Sequence, residues 1–136
     1  MASWLLKTEP GSYAFDDLLR DGRARWDGVT NPVALRNLRA TKAGDAIVVY
    51  HTGDEKAAVG LGEVVRAAYA DPEEDDARRV VIDVVPKRRL ARPVTLAALK
   101  GSAEFAASPL LRQGRLSVVP LTEAQLRHLV RLGAGE

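Results

Sequence analysis

The chain has 136 residues, of which 46% are hydrophobic and 28% charged, the balance of a soluble globular domain with room for a core. It has no cysteine, which excludes disulfides and thiolate metal sites. No apolar run approaches the ~18 residues of a spanning helix, and the N-terminus lacks the basic start and long apolar core of a signal peptide, so a cytoplasmic protein is expected.

The predicted elements follow in chain order. Ser3–Lys7 reads as a short apolar strand ended by Glu9-Pro10-Gly11. Tyr13–Arg20 is a short helix closed by Asp21-Gly22. Asn31 is a good N-cap and Pro32 a good first residue for a helix that runs to about Ala40, burying Val33, Leu35 or Leu38. Ala43-Gly44-Asp45 is a turn, and Ala46–His51, rich in β-branched residues, is a buried strand.

After a polar loop, Val59–Arg66 is a second strand, antiparallel to the first. Gly60 and Gly62 share one of its faces, which signals a close approach by backbone or ligand, or else a bulge or barrel corner. Asp71–Asp76 is a solvated acidic loop, and Arg79–Val85 is a third strand that Pro86 ends. Pro93–Lys100 reads as a helix with Thr95 as a cap, and Ser102–Ala107 as another turn of helix. Leu116–Val119 is a fourth strand stopped by Pro120. Thr122 and Gln125 form a capping box for a last helix that ends near Leu132, with Gly133 beyond it. The pattern is mixed α/β without βαβ repetition, so it predicts a small, mostly antiparallel β-barrel flanked by short helices.

Charge and motifs narrow the chemistry. The net charge is +2, but residues 20–39 carry five arginines against two aspartates. Residues 78–92 carry six basic residues against Asp83. Such clusters fit either a phosphate footprint or a solvated surface. His51 and His128 are far apart in sequence, no Gly-rich phosphate loop is present, and Ser117 has no nucleophile-elbow context for a triad with His51 and Asp45. Neither metal, cofactor nor catalysis is expected.

Binding has better support. Trp26-Asp27-Gly28-Val29 sets an aromatic before a helix N-terminus, where it can stack on a flat ligand while backbone N–H groups hold an anion. Lys7-Thr8-Glu9-Pro10, Tyr50-His51-Thr52 and Arg115-Leu116-Ser117-Val118 add polar groups at strand ends, where they converge on one rim. An aromatic with a few hydrogen-bonding groups suits an extruded base.

In this order and spacing the chain resembles the EVE domain family of the PUA-like superfamily. Trp4-Leu5-Leu6-Lys7-Thr8-Glu9-Pro10 is similar to its opening W-L-x-K-[ST]-E-P, and Tyr13 to Leu18 to its Y-x-x-x-D-L. Trp26-Asp27-Gly28-Val29 with Asn31 and Leu38-Arg39 resembles W-D-G-V-R-N…L-R. Gly44-Asp45 with Tyr50-His51-Thr52, Gly60 to Val65 with Ala68 to Asp71, Pro93-Val94 to Lys100 and Arg115 to Pro120 complete the set. The resemblance implies one PUA-like domain over residues 1–136. It implies a non-catalytic nucleic-acid reader that takes a flipped, modified base of the 5-methylcytosine type. Apart from the resemblance, no membrane partner is expected, and a monomer is expected although the sequence does not give the oligomeric state.

The base pocket it implies comprises Thr8, Glu9, Trp26, Asn31, Tyr50, His51, Arg115 and Ser117, with Lys7, Arg36 and Arg39 on phosphates. Readings as a module for modified RNA, or as a small-molecule sensor or enzyme using the same pocket, stay open. The chain departs from the family at Thr30, where arginine is usual, at Pro32, where an aromatic is common, and at Ala34-Leu35-Arg36 in place of A-R-N. It also has Arg78-Arg79 and a short loop before the third strand, where relatives carry a tryptophan.

Overall fold

The computed structural model describes residues 2–135. Six strands form one sheet: β1 (Ser3–Thr8), β2 (Ala24–Trp26), β3 (Ala46–His51), β4 (Ala57–Ala70), β5 (Val80–Thr95) and β6 (Val118–Leu121). Their order is β2-β5-β4-β3-β1-β6, with β1 and β3 parallel and all other pairs antiparallel. The helices are α1 (Phe15–Asp21), α2 (Pro32–Ala40), α3 (Leu96–Lys100), α4 (Pro109–Arg112) and α5 (Glu123–Gly133), with a 3-10 turn at Ala103–Phe105. The fold is therefore mixed α/β, as expected. None of the described helices is long and apolar enough to cross a membrane.

The barrel, however, is not closed. The hydrogen-bonded order has two ends, β2 and β6, and α2 packs against the β6 end. Carbonyls alternate sides along a strand. The Ser117 carbonyl accepts from the Lys7 N–H of β1 (2.9 Å), so the Val118 carbonyl faces away from β1. Asn37 of α2 donates its side-chain amide to that carbonyl at 2.8 Å, which blunts the free edge of β6. Leu35 and Leu38 bury the other face of α2, while Val33 is only partly buried.

Local signals explain the helix ends. Asn31 Oδ1 accepts from the N–H groups of Val33 (2.9 Å) and Ala34 (3.1 Å), and Pro32 follows as the first helical residue. Gly22 closes α1 at φ 73°, a conformation open to glycine at little cost. Thr122 and Gln125 exchange side-chain-to-backbone bonds of 3.0 and 2.9 Å in a capping box.

Several boundaries differ from the sequence reading. β5 runs through Pro86 to Thr95, because Pro86 pairs with Gly62 beside a register shift, where a missing N–H is tolerated. The predicted helix over 93–100 therefore starts at Leu96, although Thr95 does cap it, accepting from Ala98 N–H at 3.1 Å. β6 runs past Pro120 to Leu121, since an edge strand does not need every N–H. Both glycines of β4 flank register shifts and both meet neighbours closely. A Cβ on Gly60 would lie 2.4 Å from the Phe15 ring, and one on Gly62 would lie 2.5 Å from the Val85 carbonyl.

Candidate functional site

A cleft of about 770 Å³ opens between the two ends of the sheet. One wall is Ala24, Arg25 and Trp26 of β2 with the loop that follows. The other is Lys7 and Thr8 at the end of β1 with Arg115 and Ser117 just before β6. Tyr13, from the segment entering α1, also lines it. The unclosed barrel thus leaves its ligand-sized gap where β2 and β6 fail to meet.

The cleft brings together six of the residues expected from sequence: Lys7, Thr8, Trp26, Asn31, Arg115 and Ser117. Trp26 is 6% exposed and packs edge-to-face with Tyr13, ring centroids 6.3 Å apart at 84°. Its indole is a wall and a core residue at once, rather than a free platform. The Lys7 ammonium donates to the Gly114 carbonyl at 2.9 Å and lies 5.8 Å from the Tyr50 ring centroid. Burial pushes this ammonium below its ordinary value.

The other five candidates lie outside the cleft, for specific reasons. His51 is buried against the segment that enters α1. Its Nε2 accepts from Phe15 N–H at 3.0 Å while Nδ1 faces Glu55 Oε1 at 2.7 Å, an arrangement that assigns the proton to Nδ1. Tyr50 is buried behind Lys7, and burial pushes its phenol up. Glu9 is exposed and builds the turn after β1: Oε1 accepts from Gly11 N–H (3.0 Å), and its carbonyl accepts from Ser12 and Tyr13 N–H (2.9 Å each). Arg36 is exposed on α2, and Arg39 lines a separate cavity.

Thr8 and His51 act as a pair. They stand opposite each other on parallel β1 and β3. The Thr8 hydroxyl donates to the Tyr13 carbonyl at 2.7 Å, and His51 takes the Phe15 N–H two residues on. Together they pin the segment that carries Tyr13 into the cleft.

Sequence reasoning missed Tyr13, Asp21, Arg23 and Arg25 as cleft residues. In the sequence Tyr13 stands in the Y-x-x-x-D-L stretch, where spacing indicates only a helix start. Its hydroxyl donates to Asp21 Oδ2 at 2.9 Å. Its phenol is pushed up to about 12, first by burial and then by that bond, and the Tyr13 and Arg20 hydrogen bonds hold the Asp21 carboxyl below its ordinary value. Arg23 reaches out of the cleft to Asp83 at 2.9 Å, and Asp83 Oδ1 accepts from the Tyr69 hydroxyl at 2.5 Å.

The expected anion site at the start of α2 does not exist in that form. Pro32 has no N–H, Asn31 Oδ1 occupies those of Val33 and Ala34, and the Asn31 carbonyl takes that of Leu35 (2.9 Å). Positive charge in the cleft comes instead from four basic side chains, Lys7, Arg23, Arg25 and Arg115, against two acidic ones, Asp21 and Asp27. Among the described residues no group of three or more His, Asp or Glu side chains is placed to hold a metal.

An open, mostly antiparallel sheet with an aromatic, cation-lined cleft between its ends defines a small ligand-reading domain. The EVE domain model matches residues 2–132, and the chain belongs to that family. Mouse thymocyte nuclear protein 1 is 29% identical, the alignment covering 95% of this chain and 72% of that protein. The solved structure of Rpa0253 from Rhodopseudomonas palustris is 34% identical, covers 98% of this chain and 93% of its own, and superposes with a TM-score of 0.91. The human THYN1 protein, solved in complex with 5-methylcytosine-containing DNA, is 28% identical, covers 100% of this chain and 99% of its own, and has a TM-score of 0.88.

Proposed function

We propose that the cleft receives a flipped, modified base of the 5-methylcytosine type from DNA and reads it without catalysis. The observation that carries this is the joint lining of one cleft by Trp26, Tyr13, Lys7, Thr8, Asn31, Arg115 and Ser117. Support also comes from the kinship with THYN1, whose solved complex holds 5-methylcytosine-containing DNA. A volume near 770 Å³ falls within the roughly 300–1,000 Å³ of small-ligand sites.

The hydrogen-bonding groups suit a base edge. Asn31 spends its oxygen on the helix cap, which leaves its NH₂ with no partner among the described residues, so it can donate to ring acceptors. The Ser117 hydroxyl likewise has no partner there and can donate or accept. The Thr8 hydroxyl has committed its proton to Tyr13, which leaves it as an acceptor for an exocyclic amine. Trp26 and Tyr13 supply aromatic wall. A monomeric single domain acting in the cytoplasm belongs to the same reading.

Titrating paired oligonucleotides that differ only in one 5-methyl group, followed by Trp fluorescence, tests this. Tighter binding of the methylated strand is expected. Equal binding refutes modified-base reading, and preferential binding of RNA of the same sequence moves the assignment to RNA.

A further inference from the structure

The cleft does not stop at Thr30. That residue also lines a second cavity of about 250 Å³, whose walls include Arg39 of α2 and Asp76, Arg78 and Arg79 from the loop before β5. This cavity sits where the chain departs from its family, at Thr30 and at the short, arginine-bearing loop.

Its charges are not equivalent. Asp76 is committed to Arg78: Oδ2 faces Nη2 at 2.9 Å, and Oδ1 accepts from Nε (3.1 Å) and from the Arg78 backbone N–H (2.9 Å). Those bonds hold the Asp76 carboxyl down at about 2, so it stays paired across the working pH range. Arg39 places one Nη2 bond on the Arg78 carbonyl at 2.8 Å, which orients its guanidinium and leaves its other N–H groups unused. Neither Arg39 nor Arg79 has an ion-pair partner among the described residues. The cavity lining therefore includes two arginines without an ion pair, Arg39 and Arg79, beside the Asp76–Arg78 pair.

A guanidinium presents a planar fork of donors that matches phosphate oxygens. A free base or nucleoside occupies one cleft and has no group to place in the second. A strand carries a phosphate on each side of the base that enters. We propose that the Arg39–Arg79 cavity binds backbone phosphate of a DNA strand next to the nucleotide whose base enters the main cleft. This rests on the base-reading assignment and adds to it a separate backbone subsite built by Arg39 and Arg79. Thr30 marks the passage from base to backbone.

The experiment is a salt series. Binding of a fluorescent, singly methylated duplex is measured by anisotropy for the wild-type chain, for Arg39→Ala/Arg79→Ala, and for a control of equal charge change on α5, Arg127→Ala/Arg131→Ala, which lines neither cavity. Binding of free 5-methyl-2′-deoxycytidine is measured alongside by calorimetry. Each phosphate contact contributes about 0.9 to the slope of log K against log salt. The Arg39/Arg79 variant is expected to lose about 1 from that slope, for the one flanking phosphate, and several-fold in duplex affinity, with nucleoside binding and methyl preference kept. The α5 control is expected to keep the wild-type slope. An unchanged slope in the Arg39/Arg79 variant, or an equal loss in the control, overturns the site. Arg39→Lys/Arg79→Lys, which keeps charge without the fork, provides a second folded variant and is expected to fall between. A wild-type chain that shows no methyl preference overturns the base reading and this role with it, in an arm the arginine variants do not enter.

Discussion

Replacing His51 by leucine separates a base contact from a scaffold residue. In the structure His51 Nε2 is the acceptor for Phe15 N–H at 3.0 Å, and both partners are buried. Leucine fills similar space but accepts nothing, so the Phe15 N–H is left without a partner. An unsatisfied buried donor costs about 1–3 kcal/mol. For a domain of this length each kcal/mol lowers Tm by roughly 3–5 °C, so a fall of roughly 3–15 °C is expected. The segment entering α1 then keeps its Thr8 bond and the turn at Glu9 but loses its tie to His51 of β3, which loosens the aim of Tyr13 at Trp26. Urea and thermal unfolding measure the first effect, and oligonucleotide titration the second. The two losses should appear together, and Thr8→Val should add less than its own single-variant loss when combined with His51→Leu, because both act on one segment. Wild-type stability combined with lost binding would refute this reasoning and return His51 to the base.

Trp26→Ala removes a buried wall, so it should destabilise by about 3–5 kcal/mol and, in the folded fraction, weaken base binding by about 1–3 kcal/mol. Trp26→Phe should recover most of the stability, and unchanged binding of the alanine variant would remove Trp26 from the site. Gly60→Ala places a Cβ 2.4 Å from the Phe15 ring and should cost about 1–3 kcal/mol in urea unfolding, because ring and backbone must part. Tyr13 ionises at about 12 in the folded chain against 10.0 unfolded, so above pH 10 the unfolded state releases a proton that the native state retains. Stability from Tyr13 is thus intact below pH 10 and is lost as pH rises through 12. Tyr13→Phe should flatten that alkaline limb and let the Asp21 carboxyl rise back towards 3.8 in an NMR titration.

What the sequence made legible was local. Asn31-Pro32, Thr122 with Gln125, and Gly22 each fix a helix end through groups within four residues of one another, so spacing sufficed. β2 was not legible, because Ala24–Trp26 is a strand only by pairing with Ile82–Val84 far along the chain. α4 is four residues long, too short for periodicity to register. Pro86 misled because its tolerance depends on the register shift opposite it. The candidate site divides in the same way. Lys7, Thr8, Trp26, Asn31, Arg115 and Ser117 were found through motif order. His51, Tyr50 and Glu9 were misplaced because residues at strand ends were all assumed to face one rim. The segment from Glu9 to Phe15 folds back over β1 and β3 and takes their polar groups first.

That fold-back changes how the stretch from Trp26 to Pro32 works. A helix start preceded by glycine suggests an anion cradle, yet here the helix caps itself and leaves no free N–H in its first turn. Asn31 therefore faces the cleft with its amide donors rather than offering the helix dipole, and recognition of negative charge passes to side chains. Of the four basic groups at the rim, Lys7 is tied to the Gly114 carbonyl, Arg23 to Asp83, and Arg25 lies 3.9 Å from Glu73. Arg115 alone has no ion-pair or hydrogen-bond partner among the described residues, and it stands opposite β2 across the mouth. The family's usual arginine after W-D-G-V is threonine here, so cationic groups sit to either side of Thr30 instead, Arg115 at the cleft and Arg39 with Arg79 beyond it. In the proposed reading, the strand that carries the base then meets a cationic group on each flank.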